Sequence, residues 1–194
     1  MNPVVLYLHG LNSAPQSVKG QLVARALAAL ARPPRFHMPQ LPDRPLQAIA
    51  MVARWIDANV GRDDVLTLIG SSLGGFYATC LAERYAARAV AINPAIRPYA
   101  SLESFVGAQR NLYTGESYEL TRVHLDEMAA LHVARITRPE RYLLLVRSGD
   151  ELLDWREAVA YYCGAWQYVG GGGDHGWADF APMLPTVLQF AHCA

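Results

Sequence analysis

Short apolar runs alternate along this chain with stretches whose apolar residues recur at helical spacing. Val4–His9 is an apolar run ending at Gly10, the pattern of a parallel strand buried on both faces. Ser13 and Gln16 have the spacing of a capping box, which predicts a helix burying Leu22, Val23, Ala26, Leu27 and Leu30 and stopping at Pro33-Pro34. Arg35–Met38 reads as a short strand. From Pro45 to about Val60 the spacing of Ile49, Val52, Ala53 and Ile56 predicts an amphipathic helix. Val65–Ile69 is the next strand, and a helix over Leu73–Tyr85 follows with almost no connection. Further strands are expected over Ala89–Ile92, Tyr142–Val146 and Trp166–Val169, with helices from about Asp154 to Tyr162 and over Pro182–His192.

Strand–helix alternation of this kind implies an α/β protein with a parallel sheet, right-handed crossovers and helices on both faces. One stretch breaks the rhythm. Residues 97–140 hold no convincing strand, only polar, aromatic and short helical pieces. An insertion there, near the carboxyl ends of the strands, is expected to lie over a site as a cap. No repeat or linker divides residues 1–194, so one domain is expected.

Composition narrows the partners. Lys+Arg and Asp+Glu number 17 each, so no basic excess exists to neutralise a nucleic-acid backbone or an anionic membrane surface. The apolar run Val4–Leu8 is too short for a signal-peptide core and lacks a basic region before it. No apolar run approaches the roughly 18 residues of a membrane span. Cys80, Cys163 and Cys193 are an odd set without C-x-x-C spacing, which reads as reduced thiols in a cytoplasmic protein rather than a disulfide framework.

The sharpest chemical signal is Gly70-Ser71-Ser72-Leu73-Gly74, a G-x-S-x-G pentapeptide between an expected strand and an expected helix. A nucleophile elbow needs that context, because its sharp turn lifts the serine above the sheet and tolerates only tiny neighbours. The motif spacing singles out Ser72 rather than Ser71. The turn also sets Ser72 at a helix N-terminus, where unpaired N–H groups favour a developing oxyanion. A phosphate-binding turn would call for Gly-Lys-Ser/Thr or G-x-G-x-x-G, and neither is present here.

Several segments together resemble the small α/β-hydrolase esterases of the YqiA family, also called UPF0227, over nearly the full length. They are Leu8-His9-Gly10-Leu11-Asn12-Ser13, Gly70–Gly75, Asn93-Pro94-Ala95-Ile96-Arg97-Pro98-Tyr99, Tyr113-Thr114-Gly115-Glu116, Gly149-Asp150-Glu151-Leu152-Leu153-Asp154 and Gly173-Asp174-His175. The resemblance implies an α/β-hydrolase fold and a cytosolic esterase or thioesterase acting on acyl esters without metal or organic cofactor. Leu11 departs from the Phe that follows His-Gly in such proteins. A backbone N–H at that position survives the change.

An acyl-transfer site needs two donors aimed at the tetrahedral oxyanion. The N–H of Leu73, after the serine, is one. The N–H of Leu11, in the loop after the first strand, is the expected second, with His9 structural beneath it. The fold requires the order serine, acid, histidine. His124 and His132 fall in the expected cap and His192 in the last helix, whereas His175 follows a strand and Gly170–Gly173, so His175 is the expected base. Asp150, just after Tyr142–Val146, is the expected acid. Asp154 is the alternative, although it begins a helical pattern and suits an N-cap.

Phe76, Tyr99, Tyr113 and Trp177 are the candidate substrate-binding aromatics, each with a core role as the alternative, and Arg97 and Arg110 are candidates for an anionic group. The leading expectation is a serine esterase acting on a small-molecule ester or thioester. The alternatives are an acyltransferase or amidase using the same three residues, or a non-catalytic binding module on this scaffold.

Overall fold

In the computed structural model, which describes residues 2–193, six extended segments pair into one parallel sheet. In chain order the elements are β1 (Asn2–Leu8), α1 (Val18–Ala28), β2 (Arg35–His37), α2 (Pro45–Asn59), β3 (Asp64–Ser71), α3 (Leu73–Tyr85) and β4 (Arg88–Ile92). They continue with α4 (Pro98–Ser101), β5 (Gly107–Arg110), β6 (Ser117–Leu120), α5 (Arg122–Leu131), β7 (Tyr142–Arg147), α6 (Trp155–Tyr161), β8 (Trp166–Gly170) and α7 (Leu184–Phe190).

The sheet order is β2-β1-β3-β4-β7-β8. From β1 the chain moves outward to β2, then crosses back to pair β3 on the other side of β1. That reversal opens a crevice at the carboxyl ends of β1 and β3, the switch point where ligands bind in open α/β sheets. Register aligns the two ends: Leu8 pairs with Gly70, and Ser71 pairs with Ile92 of β4. The loop Gly10–Ser13 and the turn at Ser72 therefore emerge side by side.

Strand residues divide strictly between the two faces. Val4, Leu6 and Leu8, with Leu66 and Leu68, meet α2, α3, α5 and α6 in the larger core. Val5, Tyr7, Ile69, Val90 and Leu145 meet α1 and α7 in the smaller one. Each large aliphatic side chain so buried contributes about 1.5–3 kcal/mol. Sheets covered on both sides need continuous apolar strands, which is why these segments read as runs rather than alternations.

Two expectations need correction. α1 starts at Val18 behind Ser17, not at Ser13, because Ser13 is held in the preceding loop, where its carbonyl accepts from Asn111 Nδ2 at 2.8 Å. The stretch 97–140 does contain strands. β5 and β6 form an antiparallel hairpin, with Gly107 opposite Leu120 and Arg110 opposite Ser117. Both strands are short, polar and largely exposed, so no apolar run announced them.

Candidate active site

Ser72 sits between β3 and α3 with φ 57° and ψ −122°, a left-handed conformation that a serine adopts only under strain. Its N–H donates to Ile92 O at 3.0 Å, and its carbonyl accepts from Gly75 N–H at 2.9 Å and Ala95 N–H at 3.1 Å. Those bonds hold the turn closed. A Cβ on Gly70 would stand 2.1 Å from Gly74 O, and one on Gly74 would stand 2.0 Å from Leu8 O. The flanking glycines are thus required by space.

Beside this turn runs the Gly10–Ser13 loop. A Cβ on Gly10 would come within 3.2 Å of Ser72 Cβ, so the loop lies directly against the serine. Among the described residues, no backbone carbonyl of the turns, loops and caps accepts from the Leu11 N–H, and Leu73 opens α3, where the first N–H groups have no partner within the helix. His9 lies buried beneath, accepting at Nε2 from Leu41 N–H at 3.0 Å while its Nδ1 meets Gly10 O at 2.9 Å. Burial lowers its pKa, in keeping with an Nε2 that accepts from Leu41 N–H. This is the structural part the sequence suggested for it.

His175 arrives from the loop after β8. Its Nδ1 lies 2.8 Å from Asp150 Oδ2 and its Nε2 lies 3.0 Å from Ser72 Oγ. A carboxylate can only accept, so Nδ1 carries the proton of the neutral ring and Nε2 turns its lone pair to the hydroxyl. The Asp150 side chain is 2% exposed and that of His175 is 16% exposed. Burial pushes the Asp150 carboxyl upward, but hydrogen bonds from His175 and from Leu153 and Leu152 N–H outweigh it, leaving the pKa lowered. Asp154 is elsewhere engaged: it caps α6, accepting from Arg156 N–H at 2.9 Å.

Three groups that sequence reading passed over hold the His175 loop. Asn93, buried at φ 40°, donates from Nδ2 to His175 O at 3.1 Å and accepts at Oδ1 from Arg147 N–H at 3.0 Å. Glu151 accepts from His175 N–H at 3.0 Å, and Lys19 Nζ donates to Gly176 O at 2.5 Å. The Asn93-Pro94 pair at a strand end was the one available signal for the first. Nothing in one dimension pointed to the other two.

A cleft of about 670 Å³ opens over Ser72 and His175, walled by Leu11, Lys19, Leu112 and Tyr113. Tyr113 is the one expected aromatic that lines it. Phe76 packs instead into the larger core, because α3 is buried on nearly all sides, and Tyr99, on α4, packs against the same core with its ring edge-on to His132 at 5.5 Å. Trp177, 2% exposed, turns at φ 49° into the smaller core against Phe180, with its ring beneath the Arg147 guanidinium. Arg97 pairs with Glu157, and Arg110 bonds Gly115 O within its own hairpin. Among the described residues, no group of three or more His, Cys, Asp or Glu side chains is arranged to hold a metal ion. Nor, among the described residues, is any helix long and apolar enough to cross a membrane.

Solved structures share this architecture. A protein of Agrobacterium vitis S4, provisionally assigned as a hydrolase, superposes with TM-score 0.78 at 17% identity, covering 98% of this chain and 88% of its own. Mouse alpha/beta hydrolase domain-containing protein 10 gives 0.73 at 17% identity, over 99% of this chain and 90% of that one. The monoacylglycerol lipase of Paleococcus ferrophilus gives 0.67 at 16% identity, over 100% and 96%. At such identities the likeness establishes the α/β-hydrolase fold. Membership comes from the sequence itself: residues 4–192 match the model of UPF0227, an uncharacterised protein family, and the chain belongs to that family.

Proposed function

We propose that this protein is a serine hydrolase that cleaves small carboxylic esters or acyl thioesters through an acyl-enzyme on Ser72. The observation that carries the proposal is His175, whose two ring nitrogens meet Asp150 Oδ2 at 2.8 Å and Ser72 Oγ at 3.0 Å. Geometry of this kind is what general-base activation of a hydroxyl needs.

In the first half-reaction His175 Nε2 takes the Ser72 proton as Oγ bonds to the acyl carbon. The charge that gathers on the former carbonyl oxygen is met by the N–H groups of Leu11 and Leu73, helped by the N-terminus of α3. Asp150, ionised and buried, stabilises the imidazolium and holds its tautomer. Collapse breaks the bond to the leaving alkoxide or thiolate, which takes the proton from Nε2. Water then attacks the acyl carbon, giving its proton to His175, and Ser72 Oγ departs with that proton. The chemistry needs no cofactor. Tyr113 and Leu112 supply apolar wall to the cleft and His175 lies within it, which suits a modest ester. Residues 1–194 act as one domain with 97–140 as its cap, and Cys80, Cys163 and Cys193, all free among the described residues, accord with the cytoplasm.

Hydrolysis of p-nitrophenyl esters and acyl thioesters of graded chain length by wild type and Ser72→Ala tests this. Turnover that falls by about 10⁴–10⁶ in the variant is expected. Equal rates in the two proteins would refute it.

A further inference from the structure

The hairpin β5–β6 is fastened to the loop that carries the Leu11 N–H, and nearly every fastening passes through Asn12. Asn12 Nδ2 donates to Gln109 Oε1 on β5 at 2.9 Å, and Tyr118 on β6 donates its hydroxyl to Asn12 Oδ1 at 2.9 Å. Leu112 N–H, between the two strands, donates to Asn12 O at 2.9 Å. One asparagine thus spans both strands and the turn. Asn111 adds a bond to the next carbonyl, Ser13 O, at 2.8 Å. Asn12 itself lies at φ 53°, a left-handed conformation that asparagine enters more readily than other residues with a side chain.

We propose that Asn12 is a positioning residue for the oxyanion: by locking the hairpin to the Gly10–Ser13 loop, it holds the adjoining Leu11 N–H at a fixed height over Ser72. The inference rests on the serine-hydrolase reading of Ser72. Its physical basis is that an oxyanion donor acts through preorganisation, so a loop free to shift loses stabilisation of the transition state and little binding of the ground state. Two cavities flank the loop, about 670 Å³ on the Ser72 side and about 550 Å³ on the side of Leu41 and Tyr77. Leu11 packs against the larger core, and the hydrogen bonds from Asn12 to the hairpin add a second restraint on the loop between these cavities. Burial and the nearby Asp43 push the Tyr118 hydroxyl up to about 12, so it remains a donor throughout the working pH range. Gln109 is in turn held by its own bond to Phe105 O at 2.7 Å. The cap therefore acts as a clamp on the reaction centre as well as a roof.

The decisive variant is Tyr118→Phe, which removes one oxygen and leaves the ring in place. With a short p-nitrophenyl ester, kcat should fall about 3- to 10-fold, the equivalent of one neutral hydrogen bond, with KM within 2-fold of wild type. Asn12→Gly keeps the left-handed backbone and removes both side-chain bonds. Its kcat should fall further, toward the roughly 10²-fold loss of a whole oxyanion donor. Asn12→Asp, which retains an acceptor for Tyr118, should recover part of that loss. Affinity for phenylboronic acid, which forms a tetrahedral adduct on the serine, should weaken in parallel with kcat, and hydrogen exchange in the peptide covering Leu11 and Asn12 should quicken. Glu119→Gln on the exposed side of the hairpin should change none of these. A KM that rises while kcat and boronate affinity hold, or kcat within 2-fold of wild type in Tyr118→Phe, would overturn the clamp. Wild-type protein that neither hydrolyses esters nor binds the boronate would instead overturn the hydrolase reading, and the clamp with it.

Discussion

Asn93 donates from Nδ2 to the backbone carbonyl of His175 at 3.1 Å, although 82 residues of chain separate them. The same amide accepts from Arg147 N–H at 3.0 Å, and the Asn93 N–H donates to Leu145 O at 2.8 Å. One side chain at the end of β4 thereby ties the end of β7 to the loop that carries the imidazole. Its φ of 40° shows that the backbone is bent to deliver it.

Asn93→Ala leaves the partly buried Arg147 N–H and the His175 carbonyl without this side chain as partner. Each orphaned group costs on the order of 1–3 kcal/mol, so the variant should unfold at lower urea concentration and hydrolyse esters more slowly. Unchanged midpoint and unchanged turnover would remove Asn93 from the account.

The two candidate acids separate by substitution. Asp150→Asn should lower kcat by about 10³–10⁴, since the amide no longer holds the tautomer that leaves Nε2 free. Asp154→Asn should keep near-normal kcat, as asparagine caps a helix about as well as aspartate. Steady-state kinetics on the pair decides it. Near-normal turnover in Asp150→Asn would reassign the acid.

Acid stability carries the mark of the same carboxylate. The folded pKa of Asp150 is lowered, so its contribution is present above the unfolded value of about 3.9 and is lost as pH falls through the folded value. Thermal midpoints measured from pH 7 down to 2 should drop less steeply below about pH 4 in Asp150→Asn than in wild type. Parallel acid limbs would show that folding does not favour the ionised form.

Two of the candidate substrate-binding aromatics should behave oppositely. Trp177→Ala opens a cavity in the smaller core and should cost about 3–5 kcal/mol by denaturant unfolding. Tyr113, 46% exposed on the cleft wall, should cost about 0.5 kcal/mol or less when changed to alanine, yet raise KM for esters that reach the wall. A stable Trp177→Ala would contradict the assignment of its ring to the core.

These contrasts show what one dimension can carry. The turn at Ser72 was legible because its demands are local: Gly70 and Gly74 sit where any Cβ collides with backbone, and the strand before and helix after are long and strongly patterned. The parallel α/β sheet followed from the apolar runs, which two covered faces require, and the α/β-hydrolase fold from the resemblance of the quoted segments. The hairpin was invisible, since of Gly107–Arg110 and Ser117–Leu120 only Leu120 is fully buried, and the hairpin is fastened by hydrogen bonds to Asn12 and Ser13. Trp177 misled for a related reason. It stands two residues from His175, but a left-handed turn at φ 49° sends it into the core, and backbone sign is not written in residue type. Asn93, Glu151 and Lys19 converge on the His175 loop only through the fold.

The central claim concerns one oxygen atom, Ser72 Oγ. Reaction of wild-type protein with a fluorophosphonate, followed by peptide mapping, reads it directly. The account predicts label on Ser72 alone, abolished in Ser72→Ala and slowed in Asp150→Asn. Label on Ser71, or none on either serine, would contradict it.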